Sequence, residues 1–250
     1  MGKSFSRIFF IYVYMDNELI RVAKLSKSYT DKVVFENVGF SVMPGDFVGF
    51  VGRNGVGKTT LFNILLGHEN PDSGVVNVCG CIPQSQPVRT REKVGIVPEK
   101  ESPPSYFTPE EYFHYSGNLH QLSNEKITER ITELADKLEL SSVLDTYCKN
   151  LSRGQQQKVM IAKAFLHEPD IVLIDEPVVN LDPLIQSTVK EILQEYSQNG
   201  NTILLSTHDV NLVMDLCERG LLVTKEDLNE FDPQMTENKE LLGKMKNNDE

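Results

Sequence analysis

The sequence predicts an α/β fold in which a mostly parallel sheet is covered by helices. Three short apolar runs flanked by turn residues have the character of strands buried on both faces of a parallel sheet. Patterns with helical spacing lie between these runs, and such alternation is typical of α/β folds. The predicted strands are 47–51, 171–174 and 202–206, and the predicted helices are about 58–66, 155–166 and 184–198.

Length and composition place the chain among globular proteins. It has 250 residues, of which 40% are hydrophobic and 24% are charged, and its formal net charge is −11. These values exclude a mainly disordered, collagen-like or coiled-coil chain, and the length is sufficient for a full core. The acidic balance argues against binding of nucleic acid through bulk charge, so no nucleic-acid partner is expected.

The four cysteines do not indicate a secreted disulfide framework. Cys79 and Cys81 are close enough in sequence to suggest a metal site, but no second Cys or His pair completes four ligands. Ordinary thiols therefore explain these two residues, together with Cys148 and Cys217, better than zinc does. A reducing compartment is expected.

The N-terminus carries an apolar run of eight residues, 8–15, which is much shorter than the roughly 18 residues needed to span a bilayer. Lys3 and Arg7 precede the run, so a signal peptide must be considered, but the run has no small-residue cleavage site. A non-native start is the better explanation, because Met15 would open a domain well. Residues 1–18 are therefore interpreted as an N-terminal extension.

The middle of the chain has helical patterns and no strand candidate. Between residues 110 and 147, apolar residues recur at helical spacing, which predicts an all-helical insert in the α/β core. The last segment, 227–250, is charged and weakly patterned, and it is expected to form a partly mobile tail. The clearest apolar run of the insert consists of Ile127, Ile131, Leu134, Leu138 and Leu140.

A glycine-rich loop between the first predicted strand and the first predicted helix matches the phosphate-binding pattern G-x-x-x-x-G-K-[ST]. Glycines let successive backbone N–H groups surround phosphate oxygens, and the following helix points its positive end at the same anion. Lys58 is predicted to reach the β- and γ-phosphates, and the Thr59 hydroxyl is predicted to ligate Mg²⁺. The predicted ATP-binding residues here are Gly52, Arg53, Asn54, Gly55, Val56, Gly57, Lys58, Thr59 and Thr60.

Two acidic residues follow the apolar run 171–174. Asp175 occupies the position of the second Mg²⁺-side group in nucleotidases with such a loop. Glu176, beside it at the carboxyl end of a buried strand, is well placed to orient or deprotonate water. The pair predicts a hydrolytic site and not a solvated surface.

A third motif, Leu151-Ser152-Arg153-Gly154-Gln155, stands at the head of a predicted helix between the phosphate loop and the acidic pair. With these motifs in this order, the chain resembles the ATP-binding-cassette (ABC) ATPase family over about residues 19–220. The resemblance implies a P-loop NTPase core with a mostly parallel sheet, an N-terminal antiparallel β part and an inserted α-helical subdomain. It implies a domain over 19–226, with the insert at about 98–150 and the signature at 151–155.

The resemblance also implies roles for single residues. Tyr29 stands where relatives stack an aromatic ring on adenine, and Glu99 stands where many carry a glutamine that joins the metal site to the insert. His208 matches a histidine that senses the γ-phosphate. The implied catalytic residues are Glu176, His208 and Lys58, and the implied metal ligands are Thr59, Glu99 and Asp175.

The signature implies that such proteins work in pairs. Ser152, Gly154 and Gln155 lie at a helix N-terminus, which can bind an anion. In the family this helix end closes on the γ-phosphate held by the other subunit, so a second copy or a homologous cassette is the expected partner. Residues 180–182 match the end of a loop that contacts that partner.

The sequence departs from the usual family pattern at a few positions. Arg153 replaces a glycine of the commonest signature, Glu99 replaces glutamine, and Val178 and Val179 make the dimer-contact loop more apolar than usual. None of these changes removes a reacting group. Hydrolysis of ATP with Mg²⁺ therefore remains the expectation.

Residues 98–115 combine four prolines with clustered aromatic rings, which suits a docking surface for a helix of another protein. In the family this region receives a cytoplasmic helix of the membrane subunit. The resemblance thus implies a separate multi-spanning permease and a peripheral place at the cytoplasmic face of the cell membrane, and the compact insert is most similar to those of small exporters. The alternatives are a soluble ABC ATPase of translation or repair and a regulator that no longer hydrolyses ATP.

Overall fold

The computed structural model of the protein describes residues 18–30, 32–100, 102–178, 181, 183–224 and 227–246. The interpretation of residues 1–18 as an extension therefore falls almost wholly outside the described part. The strands are β1 (Ile20–Tyr29), β2 (Lys32–Val42), β3 (Phe47–Val51), β4 (Ser73–Val78), β5 (Val94–Val97), β6 (Ile171–Asp175), β7 (Thr202–Thr207), β8 (Arg219–Val223) and β9 (Leu228–Phe231).

These strands form two sheets in the described part of the chain. The larger sheet has the order β5-β6-β7-β3-β8-β9, and its neighbouring strands are parallel except for the antiparallel pair β8–β9. The smaller sheet is antiparallel and has the order β2-β1-β4. The predicted fold class, a mostly parallel core with an N-terminal antiparallel part, is therefore confirmed.

The central strands coincide with the apolar runs of the sequence. Every residue of β3, β6 and β7 is buried, as expected for strands covered on both faces. β3 has the predicted bounds, whereas β6 and β7 each extend one residue further, to Asp175 and Thr207. Because parallel strands end at the same edge, these two polar residues lie next to the phosphate loop that follows β3.

The helices follow the predicted order along the chain. The phosphate loop leads directly into the first of them, and the predicted patterns at 155–166 and 184–198 begin slightly earlier than expected, after Ser152 and at Pro183. The helices are α1 (Lys58–Leu65), α2 (Pro87–Lys93), α3 (Pro109–Leu119), α4 (Asn124–Lys137), α5 (Arg153–Phe165), α6 (Pro183–Gln198), α7 (Val210–Leu216) and α8 (Asn238–Lys246), with short 3-10 turns at Ser141–Val143 and Cys148–Asn150.

The insert between β5 and β6 is helical, as predicted. Thr108 caps α3 through a reciprocal pair of hydrogen bonds with Glu111, and Ser123 caps α4. Phe113 and the apolar side of α4, including Ile127 and Leu134, are fully buried in the cluster that also holds α5. This packing joins the insert to the helix that begins at the signature.

The segment after residue 226 is more regular than its sequence suggests. The sequence predicts a partly mobile tail over 227–250, and within its described residues 227–246 β9 extends the large sheet and α8 packs on the core. Arg219 links β9 to the sheet through hydrogen bonds to Glu230 at 2.8 Å and Asp46 at 2.6 Å. Leu241 and Met245, on one side of α8, are buried.

Two further observations concern membrane-spanning helices and cysteine thiols. Among them, no helix combines the length and the apolar character needed to cross a bilayer. Cys79, Cys81, Cys148 and Cys217 are all buried free thiols, and burial raises the pKa of Cys79 to about 12.

Candidate functional site

The phosphate loop is held between the two sheets. At its start, the Gly52 N–H donates to the carbonyl oxygen of Thr207 in β7 at 3.2 Å. At its end, Gly57 has a φ of 121°, and a Cβ atom added there would lie 2.8 Å from the Phe35 ring. Only glycine permits both this conformation and this close approach to β2. The fold thus fixes the loop at both ends.

Lys58 is the best-buried charged residue of the loop. Its exposed fraction is 6%, and its ammonium donates to the carbonyl oxygens of Gly52 at 2.6 Å and Arg53 at 3.2 Å. Burial lowers the pKa of Lys58, while the carboxylates of Glu176 and Asp175 act in the opposite direction. A buried ammonium at the end of this loop is suited to bind a phosphate oxygen.

Asp175 and Thr59 form an oxygen-lined site beside the loop. The Thr59 hydroxyl donates to Asp175 Oδ2 at 3.1 Å, whereas the buried Asp175 Oδ1 has no hydrogen-bond partner among the described residues. Burial raises the pKa of Asp175, while the nearby hydroxyls of Ser206 and Thr59 oppose that shift. A cation bound here would satisfy the orphaned oxygen and favour the ionised carboxylate.

The donor set fits Mg²⁺ better than a transition metal. Mg²⁺ prefers oxygen ligands and is usually held by one or two carboxylates together with substrate phosphates. Glu99 contributes a further carboxylate to the lining of the same cavity. No cluster of three or more His, Cys, Asp or Glu residues suited to a metal occurs in the described ranges.

Glu176 is held in a specific orientation directly after β6. Its φ is 51°, and its backbone N–H donates to Ser206 O at 2.8 Å. One carboxylate oxygen, Oε2, accepts the Thr207 hydroxyl at 3.0 Å, and Oε1 lies 2.9 Å from His208 Nδ1. A left-handed conformation in a residue other than glycine is a strained feature that often occurs at functional sites.

The charges of the site are coupled through Glu176. Its Oε1 lies 3.7 Å from Lys58 Nζ, and the residue is buried, with an exposed fraction of 8%. The His208 side chain is 46% exposed and so extends from this buried pair toward solvent. A polar group entering from solvent would meet His208 before Glu176.

Tyr29 lies at the opposite end of the site, at the end of β1. Its ring is partly exposed, its hydroxyl is 3.5 Å from Thr60 Oγ1, and Lys27 Nζ lies 5.0 Å from the ring centre. This position is open enough for a planar base to stack on the ring. The phosphate loop lies between Tyr29 and the acidic pair along the site.

A single cavity of about 400 Å³ brings most of the predicted site residues together. It extends from Tyr29 along the loop to Glu99, the acidic pair and His208. Gly52, Arg53 and Val56 belong to the loop but not to this lining. The loop residues in the lining are Asn54, Gly55, Gly57, Lys58, Thr59 and Thr60.

The signature residues lie elsewhere on the molecule. Ser152 and Gln155 form a reciprocal cap at the start of α5, with hydrogen bonds of 2.9 and 3.2 Å, and neither lines the cavity in the described part of the chain. Gly154 is buried, and a Cβ atom there would collide with Ile185 of α6. The glycine therefore has a packing reason that the sequence did not reveal. Arg153 is exposed.

Sequence reasoning missed three lining residues and one supporting residue. Lys32, Val34 and Lys100 line the cavity, and Thr207 holds Glu176. The first two belong to β2, whose alternating pattern gives no sign that it faces the loop. Of the predicted dimer-contact loop, positions 179, 180 and 182 fall outside the described residues.

The comparisons with known proteins agree with this geometry. The family model for ABC transporters matches residues 35–179, which is more than half of the chain. The chain belongs to the ABC transporter family. The matched range contains the phosphate loop, the signature and the acidic pair of this ABC protein.

Two relatives and one solved structure illustrate the similarity. The chain is 35% identical over 200 residues to a Nod factor export ATP-binding protein I of Cupriavidus metallidurans, covering 80% of this chain and 66% of the relative. It is 34% identical over 206 residues to an uncharacterized ABC transporter ATP-binding protein of Methanocaldococcus jannaschii, covering 82% and 74%. A structure described as the ATP binding subunit of an ABC transporter, 29% identical, superposes with a TM-score of 0.80 over 91% of this chain and 99% of that one.

These matches assign residues 35–179 to the ABC transporter family and relate the chain to an ATP binding subunit of an ABC transporter. The chain matches slightly less than two thirds of the length of the Cupriavidus relative. The fold, the motif order and the family agree, so the ABC ATPase resemblance deduced from the sequence is confirmed.

Proposed function

We propose that this ABC protein binds ATP and hydrolyses its terminal phosphate, with Glu176 as general base. The observation that carries the proposal is the position of the Glu176 carboxylate at the phosphate end of the cavity. It lies 3.7 Å from Lys58 Nζ and is oriented by the Thr207 hydroxyl and by His208 Nδ1. A carboxylate fixed in this way is suited to accept a proton from an attacking water.

The residues around Glu176 divide the remaining tasks. Lys58 and the loop N–H groups would bind the phosphates, Tyr29 would stack on adenine, and His208 would contact the γ-phosphate from the solvent side. Thr59 and Asp175 would hold Mg²⁺, with Glu99 as the third candidate ligand. When bound, the metal ion would neutralise charge on the phosphate oxygens during transfer.

We further propose that the active form is a pair, with a second copy or a homologous ABC subunit. The support is the separation of the signature from the cavity within one chain, since Ser152, Gly154 and Gln155 do not line it among the described residues. A second subunit can place its helix end on the γ-phosphate, where N–H groups and the helix dipole favour an anion. Each site would then contain residues of both subunits.

The proposed transport partner is a membrane permease that docks on the helical insert. Tyr106 and Tyr115 are 77% and 53% exposed, and Phe107 packs edge-on against Tyr115 with ring centres 5.8 Å apart. Exposed aromatic rings of this kind are typical of docking surfaces. The protein would thereby act peripherally at the cytoplasmic face of the membrane, and the Nod factor export relatives favour export as the direction.

A pull-down tests the transport assignment. The tagged Glu176→Gln protein, incubated with ATP and detergent-solubilised host membranes, should retain a multi-spanning protein in stoichiometric amount. A matched Tyr106→Ala, Tyr115→Ala double variant should retain much less of it. Recovery of ribosomal or DNA-associated proteins alone would overturn the assignment and favour the soluble class of ABC ATPases.

A further inference from the structure

A series of hydrogen bonds starts at the C-terminal helix and runs toward the acidic pair. Asn238, the first residue of α8, donates from Nδ2 to Asn211 Oδ1 at 2.8 Å. Asn211, in the first turn of α7, donates to Asp209 Oδ1 through its backbone N–H at 2.9 Å and through Nδ2 at 3.2 Å. Asp209 is the residue that caps α7. α8 is thus connected to the segment that contains His208.

The series continues from Asp209 to the carboxylate of Glu176. The Asp209 backbone N–H donates to Thr207 Oγ1 at 3.1 Å, and that hydroxyl donates onward to Glu176 Oε2 at 3.0 Å. His208 lies between Thr207 and Asp209 in sequence and approaches the other oxygen, Oε1, at 2.9 Å. The same short segment therefore supports both oxygens of Glu176.

The direction of these bonds matters for their strength. Thr207 accepts a hydrogen bond from Asp209 while it donates one to Glu176, and linked donors and acceptors of this kind polarise one another. Asp209 is in turn oriented by the two donors of Asn211. Loss of Asn238 would leave the Asn211 amide without that donor on Oδ1 and so loosen the orientation of Asp209.

The apolar contacts of α8 hold Asn238 in place. Leu241 and Met245 are 1% and 8% exposed, and both belong to the buried cluster that includes Leu212 and Val213 of α7. α8 is therefore packed on the helix that Asp209 caps, and Asn238 lies at the end of α8 nearest to Asn211. The C-terminal segment has one apolar and one polar connection to α7.

We propose that Asn238 and Asn211 are positioning residues for hydrolysis, through which the C-terminal helix holds Asp209, Thr207 and thereby Glu176 in the productive orientation. This inference rests on the proposed role of Glu176 as general base. Neither asparagine lines the nucleotide cavity in the described part of the structure. Their removal should therefore slow turnover and leave the binding of ATP nearly unchanged.

The experiment compares single and double variants of the full-length protein with an exposed asparagine of the same C-terminal segment. Asn238→Ala and Asn211→Ala should each lower kcat about 3- to 10-fold and change KM for ATP by less than about 2-fold, as expected for one lost hydrogen bond in the transition state. Because the residues act in one series, the double variant should resemble the slower single variant. Asn229→Ala, in β9, should behave as the wild type.

The thermal unfolding midpoint of each variant shows whether slower turnover comes from lost positioning or from a general loss of folding. Asn211→Ala tests the series of hydrogen bonds without changing α8. Turnover of both single variants equal to that of Asn229→Ala would overturn the proposal. So would multiplicative effects in the double variant, or a rise in KM in place of a fall in kcat. If the wild type hydrolysed no ATP, the proposed function itself would be wrong. If the wild type hydrolysed ATP and the asparagine variants did so at the same rate, only the positioning role would be wrong.

Discussion

The Thr59 hydroxyl donates a 3.1 Å hydrogen bond to Asp175 Oδ2, joining the start of α1 to the end of β6. The second oxygen of Asp175 is buried and has no partner among the described residues. An acidic oxygen in this situation is destabilised unless a proton or a cation satisfies it. The pair is therefore the proposed site of the Mg²⁺ that would accompany ATP.

Replacing Thr59 by valine tests that connection. Thr59→Val keeps the shape of the side chain but removes the hydroxyl, so half-maximal ATPase activity should require about 10-fold more Mg²⁺. Titration of MgCl₂ at saturating ATP measures this shift. Thr60→Val is the matched control, since Thr60 is the adjacent threonine and lies beside Tyr29. Equal Mg²⁺ dependence in the two variants would contradict the metal assignment.

Lys58 should govern the affinity for nucleotide. Lys58→Met removes a buried ammonium, and a charge-assisted hydrogen bond contributes about 1.5–3 kcal/mol, so ATP should bind about 10- to 100-fold more weakly. Equilibrium binding of a fluorescent ATP analogue measures the change. Lys100→Met removes the same charge from the exposed lining of the same cavity and should weaken binding far less. A larger loss of ATP affinity in Lys100→Met than in Lys58→Met would show that the phosphate loop is wrongly placed.

The free energy of unfolding of the protein should depend on pH through His167. Its ring stacks on His120 with centres 3.7 Å apart, and burial lowers the pKa of His167 to about 3. The unfolded chain has a histidine pKa of about 6.5 and binds the proton first, so the folded state loses stability as pH falls from about 6.5 toward 3. Urea unfolding between pH 7 and pH 4 measures this loss.

His167→Phe keeps an aromatic ring for the stack but removes the titrating group. The variant should lose less stability than the wild type over the same pH range. His114→Phe, which replaces a histidine of the insert, is the control. If the wild type and His167→Phe lost stability equally, the buried neutral state of His167 would be refuted.

The motifs near one another in sequence could be predicted because their chemistry is local. The phosphate loop needs a strand before it, glycines within it and a helix after it, and all three features can be recognised between residues 47 and 66. The acidic pair at the end of β6 is likewise a local pattern. The helix predicted at about 155–166 begins at Arg153 in the structure, because Ser152 caps it.

Features that depend on distant packing could not be predicted. Val34 and Lys32 enter the cavity because the antiparallel sheet lies against the loop, and no local pattern indicates that contact. Gly154 is required by Ile185, which lies on another helix. The charged segment after residue 226 forms β9 and α8 because the large sheet offers it an edge and a hydrophobic surface.

The most direct test of the account is the turnover of Glu176→Gln. This change keeps the size of the side chain and removes the group that accepts the proton, so hydrolysis should fall by at least about 100-fold while ATP binding persists. With ATP and Mg²⁺, the variant should also elute as a closed pair in size-exclusion chromatography, and the wild type should not accumulate in that form. Phosphate release by Glu176→Gln at the wild-type rate would contradict the assignment of Glu176 as the general base.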